Sequence, residues 1–213
     1  MIIAANSPQT DEAAALRRVV LASASPSRQM ILAAAGVEFS TSPADLDEHE
    51  IKRSLMSEQA TPQEVALTLA AMKAVRISDN DREALVIGAD QVLTADGRLF
   101  DKPVDRAAAR ATLRQLRGRD HALHAGLAVA CDGVVIWRHL ETATLTMRAF
   151  SDDFLEAYLD SAGDAILSSV GAYRLEGLGV QLFSDINGDY FTILGLPMVS
   201  LSTCLRDLGA LMS

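Results

Sequence analysis

The sequence predicts a mixed α/β protein, with an elongated central sheet, flanking helices and two lobes around a cleft. Three observations predict this class. Residues 85–89 are a fully apolar run, Leu-Val-Ile-Gly-Ala, which is typical of a strand buried on both faces. In the second half, the turn pairs Asp132-Gly133 and Asn187-Gly188 separate apolar segments, as they do in antiparallel hairpins. Capped helical segments alternate with these strands, as expected for a sheet covered by helices.

The first predicted strand, Val19–Ala22, leads through a serine-rich turn into a helix. Ser25 suits the N-cap of this helix and Pro26 its first position. Gly36 suits the residue that follows its last turn.

Apolar periodicity, helix caps and turn residues predict the remaining elements. In the first half they are a strand over 37–42, an acidic loop over 45–50, a helix over 62–77, a strand over 85–89 and a helix over 105–116. The strand over 85–89 is predicted to end at Asp90-Gln91, after which the chain continues over 92–94 to a turn. In the second half they are a hairpin over 123–130 and 134–137, a strand over 142–148, a short helix from 152 to about 163, a final hairpin over 180–186 and 190–194, and a helix over 197–209.

Charge and composition exclude several classes of function. The 213 residues carry a formal net charge of −9. Nucleic acids and anionic membranes bind basic surfaces, so we expect neither as a partner. No apolar run approaches the roughly 20 residues of a membrane span, and the N-terminus lacks the pattern of a signal peptide. We therefore expect a cytoplasmic protein, with a mobile extension over 1–18 and one folded domain over 19–213.

The segment Ser-Ala-Ser-Pro-Ser-Arg at 23–28 is the most informative part of the chain. Backbone N–H groups at a helix N-terminus, hydroxyl groups and an arginine that face one point can hold a phosphate. Ser23, Ser25, Ser27 and Arg28 are therefore candidate phosphate ligands. A well-capped structural helix is the commoner explanation of such a segment taken alone.

Asp90 is the candidate catalytic residue. It follows a buried strand, where open α/β sheets place ligand-binding groups. A carboxylate at that position can orient a water molecule, accept its proton or bind Mg²⁺. An aspartate that caps a turn is the alternative.

Three further charged residues have both a functional and a structural explanation. Lys102, braced by Pro103, can contact a phosphate, or it is a solvated surface residue. Lys73 lies among small apolar residues on a predicted helix, so it either extends to solvent from the helix edge or points into a site. Glu48, with Asp47, can supply oxygen ligands to a hard cation or belong to a solvated loop.

Taken together, these segments resemble the Maf family of nucleotide pyrophosphatases from about Val19 to Leu208. Each motif alone is weak, but their order and spacing are specific. The matching stretches are Leu-Ala-Ser-Ala-Ser-Pro-Ser-Arg at 21–28, Asp-Glu at 47–48, Leu-Ala-x-x-Lys-Ala at 69–74, Gly-Ala-Asp-Gln at 88–91, Asp-Lys-Pro at 101–103, Gly-Ala-Tyr and Glu-Gly-Leu-Gly within 171–179, and Ile-Asn-Gly and Gly-Leu-Pro within 186–197.

The resemblance implies a fold like that of Maf proteins and inosine triphosphate pyrophosphatases. It implies that a nucleoside triphosphate is hydrolysed between the α- and β-phosphates, with Mg²⁺ or Mn²⁺ as cofactor, by a homodimer. Asp90 matches the general base of the family, and Asp90 and Glu48 are the candidate metal ligands. The residues that match the polar site residues of the family are Ser23, Arg28, Glu48, Lys73 and Lys102.

The chain departs from the family pattern at two places that bear on affinity. Ser27 replaces an arginine of the first loop. Ser168-Ser169 stand where Asp-Lys often precedes Gly-Ala-Tyr. One or two positive charges are therefore missing, so the resemblance defines the reaction better than the substrate.

Gln91 and Glu176 resemble the subgroup that acts on 7-methyl-GTP, whereas the dTTP/UTP subgroup tends to carry threonine and glutamine there. A carboxylate can accept hydrogen bonds from the N1–H and 2-amino groups of guanine, and N7 methylation makes that base cationic. Thymine and uracil present carbonyls beside one N–H, which an amide pairs with better. Ser27 stands where that subgroup is expected to carry a stacking tryptophan. The sequence favours 7-methylguanine and leaves dTTP and UTP open.

Two other functions stay open at this point. A nucleotide-binding regulator of cell division or septum formation would bind nucleotide without turnover, although the presence of Asp90 and Lys102 argues against lost catalysis. A phosphatase would instead remove the terminal phosphate and release orthophosphate first.

Overall fold

The structure is a computed structural model and describes residues 16–212. Of the extension predicted over 1–18, residues 1–15 lie outside the described part. The backbone N–H of Arg17 donates to the carbonyl of Gly209 at 3.0 Å, and the Arg18 guanidinium pairs with the carboxylate of Asp81. The chain is thus attached to the rest of the protein before its first strand.

Within residues 16–212, seven strands form one mixed sheet, which confirms the predicted fold class. The strands are β1 Val19–Leu21, β2 Phe39–Thr41, β3 Leu85–Ala95, β4 Arg98–Phe100, β5 Asp120–Cys131, β6 Val134–Met147 and β7 Phe183–Asn187. Their order is β2-β1-β3-β5-β6-β7, with β4 paired to β3 outside this path. Strand β1 is parallel to β2 and β3, and the other pairs are antiparallel.

Helices flank this sheet and connect its strands. They are α1 Pro26–Ala34, α2 Glu48–Ser57, α3 Pro62–Ser78, α4 Arg106–Leu116, α5 Asp152–Ala162, α6 Tyr190–Ile193 and α7 Met198–Asp207, with 3₁₀ segments over Gly163–Ser168 and Leu178–Leu182. No helix within residues 16–212 combines the length and apolar character that crossing a membrane requires.

Helix α3 packs its backbone directly against the two central strands. It begins behind a complete capping box of Thr61 and Glu64. A Cβ atom added to Gly88 of β3 would lie 2.7 Å from the backbone nitrogen of Ala74, and one added to Gly126 of β5 would lie 2.5 Å from the carbonyl of Ala66. The two glycines therefore set how closely α3 approaches the sheet.

The central strands are longer and more continuous than the sequence predicts. The prediction that a strand ends at Asp90-Gln91 is wrong, because β3 continues to Ala95 with β5 paired alongside it from Val86 to Thr94. The neighbour on the other side, β1, pairs only with Leu85–Ile87. Asp90 thus lies in mid-strand but beyond the end of β1. The two strands predicted over 134–137 and 142–148 are the single strand β6, since both segments pair with β5.

The acidic segment and the final hairpin also differ from their predictions. The predicted acidic loop over 45–50 is wrong at its second half, where Asp47 caps α2 by accepting the N–H of Glu50 at 2.9 Å. The predicted hairpin over 180–186 and 190–194 is wrong as well. Strand β7 pairs with β6, and the carboxylate of Asp189 then accepts the N–H of Phe191 at 2.8 Å, which starts helix α6 instead of a return strand.

Candidate active site

A cleft of about 490 Å³ opens where β1 ends and β3 continues. Its walls come from the turn between β1 and α1, the start of α2, the middle of α3 and β3, and the segment 168–176. Every site residue proposed from the sequence lines this cleft. They are Ser23, Ser25, Ser27, Arg28, Glu48, Lys73, Asp90, Gln91, Lys102 and Glu176.

The serine-rich turn has the geometry predicted for a capped helix N-terminus. The Ser25 hydroxyl accepts the N–H of Arg28 at 3.5 Å, and Pro26 occupies the first helical position. The Ser23 hydroxyl accepts the N–H of Ser25 at 3.2 Å. A short, polar, positively polarised end of α1 therefore faces the cleft, as an anion-binding site requires.

The Arg28 side chain ties this turn to β3. Its Nη1 donates to the carbonyl of Ala89 at 2.9 Å, and its Nε donates to the carbonyl of Gly195 at 2.9 Å. Desolvation lowers the pKa of Arg28, while the charges of Asp90 and Glu48 oppose this effect. The guanidinium is therefore fixed by backbone acceptors beside Asp90.

Lys73 points into the cleft and not to solvent. Its ammonium Nζ lies 2.6 Å from Oδ1 of Asp90 and 2.8 Å from Oε1 of Glu48, so one cation bridges two carboxylates. Lys73 is 7% exposed and Asp90 is 4% exposed. The close approach of α3 to β3 places the lysine over the aspartate, and the start of α2 supplies the glutamate.

The remaining charges of the cleft act on each other strongly. Burial opposes ionisation of Glu48, but Lys73, Lys102 and Lys52 outweigh it, and the pKa of Glu48 lies below its usual value. Partial desolvation lowers the pKa of Lys102, and the positive charges of Arg28 and Lys73 add to this effect. The cleft therefore holds several cations close together, an arrangement that a polyanionic ligand stabilises.

Asp90 and Glu48 are the residues that could hold a divalent metal ion. Oδ2 of Asp90 is buried and has no hydrogen-bond partner among residues 16–212, which fits a hard cation or a water molecule beside it. Within residues 16–212, no group of three or more His, Cys, Asp or Glu side chains is arranged to hold a metal. An ion here would therefore take its other ligands from water and phosphate oxygens, as Mg²⁺ commonly does.

Glu176 and Gln91 line the cleft beside the serine-rich turn. Oε1 of Glu176 accepts the Ser27 hydroxyl at 3.2 Å and Nε of Arg174 at 2.9 Å. The amide Nε2 of Gln91 donates to the carbonyls of Thr192 and Ile193 at 3.0 and 3.1 Å. Oε1 of Glu176 and Nε2 of Gln91 are therefore engaged by the protein, which leaves the other oxygen of each side chain as the atom that could contact a ligand.

A comparison with known protein families shows which family the chain belongs to. The family model described as Maf-like protein matches residues 18–208. This chain belongs to the Maf family. The match covers almost all of the domain predicted over 19–213.

Curated relatives of this Maf protein carry two names. It is 50% identical over 192 residues to the nucleoside triphosphate pyrophosphatase of Paramagnetospirillum magneticum, covering 90% of this chain and 99% of that protein. It is 52% identical over 196 residues to the protein of the same name from Caulobacter vibrioides, covering 92% and 98%. It is 47% identical over 189 residues to the 7-methyl-GTP pyrophosphatase of Brucella suis, covering 89% and 95%.

One solved structure also aligns with this Maf protein over most of its length. It is a nucleoside-triphosphatase / dITP/XTP pyrophosphatase from Mycobacterium abscessus, with 15% identity, a TM-score of 0.38, and coverage of 92% of this chain and 97% of that one.

Two residues of the Maf cleft escaped the sequence analysis. Lys52 lines the cleft one turn after Glu48 on α2 and contacts Asp101 at 3.3 Å. Had this segment been recognised as a helix, the four-residue spacing would have placed Lys52 on the same face as Glu48. Arg174 contacts Glu176 two positions away. The sequence offers no comparable signal for it, because a charged residue in a loop is usually solvated.

The two departures from the Maf pattern both lie on the cleft wall. Ser27 donates to Glu176 in place of the charge that an arginine would bring. Ser168 and Ser169 line the cleft near Val170 and Tyr173. The cleft of this Maf protein thus has neutral hydroxyl groups at these positions.

Proposed function

We propose that this Maf protein hydrolyses 7-methyl-GTP to 7-methyl-GMP and pyrophosphate, with Asp90 as the general base. The chain is a nucleoside triphosphate pyrophosphatase, a hydrolase that acts on acid anhydrides. The observation that supports the proposed site is the convergence of Lys73, Asp90 and Glu48 beside the anchored guanidinium of Arg28.

Attack by water on the α-phosphorus needs a base on one side and positive charge on the other. Oδ2 of Asp90, which has no protein partner, can accept the proton of that water while Lys73 holds Oδ1. Arg28 and Lys102 can stabilise the charge that develops on the bridging oxygen and the departing pyrophosphate. A divalent ion held by Asp90 and Glu48 would neutralise phosphate charge when bound.

The end of the cleft around Glu176 is proposed to read the base. A carboxylate accepts the N1–H and 2-amino groups of guanine, and a cationic 7-methylguanine suits its charge. Relatives at similar identity are named both nucleoside triphosphate pyrophosphatase and 7-methyl-GTP pyrophosphatase. dTTP and UTP are the alternative substrates, since a purine and a pyrimidine nucleotide present the same triphosphate to the catalytic groups.

The first test is Asp90→Asn. We expect purified parent protein with Mg²⁺ to release pyrophosphate from 7-methyl-GTP. Loss of the base should lower turnover by about 10²–10⁴-fold while the nucleotide still binds. Coupled pyrophosphate release gives the rate and calorimetric titration gives the affinity.

Asp96→Asn is the matched control, because Asp96 follows the same strand at an exposed turn and asparagine tolerates its φ of 48°. It should keep parental turnover. Parental turnover in Asp90→Asn would contradict the assigned base. Absence of turnover in the parent across many nucleotides would favour a nucleotide-binding regulator, and orthophosphate as the first product would favour a phosphatase.

The second test is a competitive panel of 7-methyl-GTP, GTP, dTTP, UTP and CTP with the parent and Glu176→Gln. The side-chain amide of Glu176→Gln should bind the N1–H and 2-amino groups of guanine less well than the carboxylate does, and it should bind the uracil edge better. We expect the ratio of kcat/KM for 7-methyl-GTP over UTP to fall by about tenfold or more. An unchanged ranking of the five nucleotides would show that Glu176 does not read the base.

A further inference from the structure

The Glu176 carboxylate already has two protein partners on one of its oxygens. Oε1 accepts the neutral hydroxyl of Ser27 and the charged Nε of Arg174. A carboxylate offers about four acceptor positions, two on each oxygen. Both positions of Oε1 are therefore occupied by the protein, and Oε2 remains for a ligand.

Arg174 is the more exposed residue of this pair. Both residues line the cleft, but the side chain of Arg174 is 43% exposed and that of Glu176 is 16% exposed, so the arginine is the more solvated partner. The two residues stand two positions apart in a loop that folds back on itself. The N–H of Gly177 donates to the carbonyl of Arg174 at 3.2 Å, and a Cβ atom at Gly179 would lie 2.8 Å from the backbone nitrogen of Arg174.

We propose that Arg174 is a specificity-determining residue that pairs with Glu176, offsets its charge and restricts base recognition to Oε2. This inference rests on the proposed function, in which Glu176 reads a guanine base. A cation 2.9 Å from the carboxylate opposes the attraction between that carboxylate and a cationic base. The parent cleft therefore gains less from the positive charge that distinguishes 7-methylguanine from guanine than an unpaired carboxylate would provide.

Removing the charge of Arg174 should sharpen the preference for the methylated base. In Arg174→Gln the carboxylate keeps its hydrogen bond from Ser27 but loses its counter-charge. We expect the affinity ratio of 7-methyl-GTP over GTP to rise by about two- to fivefold, the size expected for a partly exposed ion pair. Most of that change should come from tighter binding of 7-methyl-GTP, since neutral guanine does not sense the charge in the same way.

The experiment measures dissociation constants of 7-methyl-GTP and GTP by calorimetry in the Asp90→Asn background, where turnover does not interfere. It is performed at a pH below the deprotonation of the methylated base, so that this base stays cationic. Arg174→Lys keeps a positive charge and should keep the parental ratio. Ser27→Ala removes a neutral donor from the same oxygen and should also leave the ratio near the parental value.

Equal losses for both nucleotides in Arg174→Gln, with the ratio unchanged, would overturn the proposal, as would a similar rise in Ser27→Ala. The outcomes distinguish this proposal from the proposed function. If Arg174→Gln shifts the affinity ratio but the parent protein releases no pyrophosphate, the role of Arg174 is supported and the reaction is contradicted. If the parent releases pyrophosphate but the affinity ratio stays unchanged, the reaction is supported and the role of Arg174 is contradicted. Failure to bind either guanine nucleotide would contradict both.

Discussion

His121 is a buried imidazole on β5 whose two nitrogens have different surroundings. Nε2 lies 2.8 Å from the hydroxyl of Tyr173, a residue of the cleft wall, and Nδ1 is buried without a partner. Burial lowers the pKa of His121 to about 4, and the neighbouring Asp120 opposes this only partly. Between about pH 6.5 and pH 4, the His121 ring is therefore neutral in the folded protein and protonated in the unfolded chain.

The sign of the resulting pH dependence follows from proton uptake. Between about pH 6.5 and pH 4 the unfolded state binds the extra proton, so the free energy of unfolding falls as the pH falls through this window. The contribution of His121 is about 3 kcal/mol across the window. In His121→Gln the decline should be smaller by that amount, as measured by urea unfolding at several pH values.

His139→Gln is the matched control, since this ring stacks on Trp137 at the partly exposed surface of β6. It should retain the full parental decline between pH 6.5 and pH 4. Identical pH profiles for the parent and His121→Gln would show that the buried ring is not what couples acidity to unfolding.

Single residues also show how far the site could be derived from the sequence. The positions of Ser25 and Arg28 could be predicted from local patterns, because a cap and a helix start depend on neighbouring residues. Asp90 was chosen as a strand end, but β3 continues past it and it is the neighbouring strand β1 that ends there. Lys73 could only be given two explanations, since the choice depends on how closely α3 approaches β3. That distance is set by Gly88 and Gly126, which are remote in sequence from the lysine.

At the scale of elements, most capped helices and buried strands were predicted, whereas helices α2 and α6 were not. Helix α2 was predicted as an acidic loop because none of its residues is buried, so it lacks the apolar periodicity that marks a helix. The segment over 190–194 was predicted as a strand because it is apolar and follows Asn-Gly. The Asp189 side chain decides otherwise by capping the next backbone N–H groups.

The contact between α3 and β3 leads to a prediction about stability and catalysis together. A methyl group in Gly88→Ala would overlap the carbonyl oxygen of Ala70 and the backbone of Ala74, so α3 must move away from the sheet. Overpacking of this kind costs about 1–3 kcal/mol. Because α3 carries Lys73, kcat should fall beyond what the loss of folded protein explains, as measured by pyrophosphate release at a temperature where the variant is fully folded.

Gly177→Ala serves as the comparison for this change. A Cβ atom there would come no closer than 3.9 Å to its nearest neighbour, and its φ of −137° suits any residue. Its melting temperature should stay close to that of the parent. Should Gly88→Ala melt at the parental temperature and retain parental kcat, α3 would not be held at the distance that the two glycines indicate.

At the scale of the whole molecule, the formal net charge of the chain is negative, whereas basic side chains outnumber acidic ones in the cleft. The chain carries a formal net charge of −9, yet five basic and four acidic side chains line the cleft. They are Arg28, Lys52, Lys73, Lys102 and Arg174, with Glu48, Asp90, Asp101 and Glu176. We expect the cleft to attract a triphosphate only at short range, because exposed charges beyond about 8 Å are largely screened at physiological salt.

We therefore predict that kcat/KM for the triphosphate depends on where a positive charge lies and not on the net charge of the protein. Lys102→Gln and Arg98→Gln each remove one positive charge, the first from the cleft and the second from the exposed first residue of strand β4. A lost charge-assisted contact to phosphate costs about 1.5–3 kcal/mol, so kcat/KM for the triphosphate should fall by about 10- to 100-fold in Lys102→Gln. In Arg98→Gln it should change by less than about twofold at physiological salt, because that guanidinium is exposed to solvent. Equal losses in the two variants would mean that the overall charge of the protein, and not the arrangement of cations in the cleft, governs the capture of the substrate.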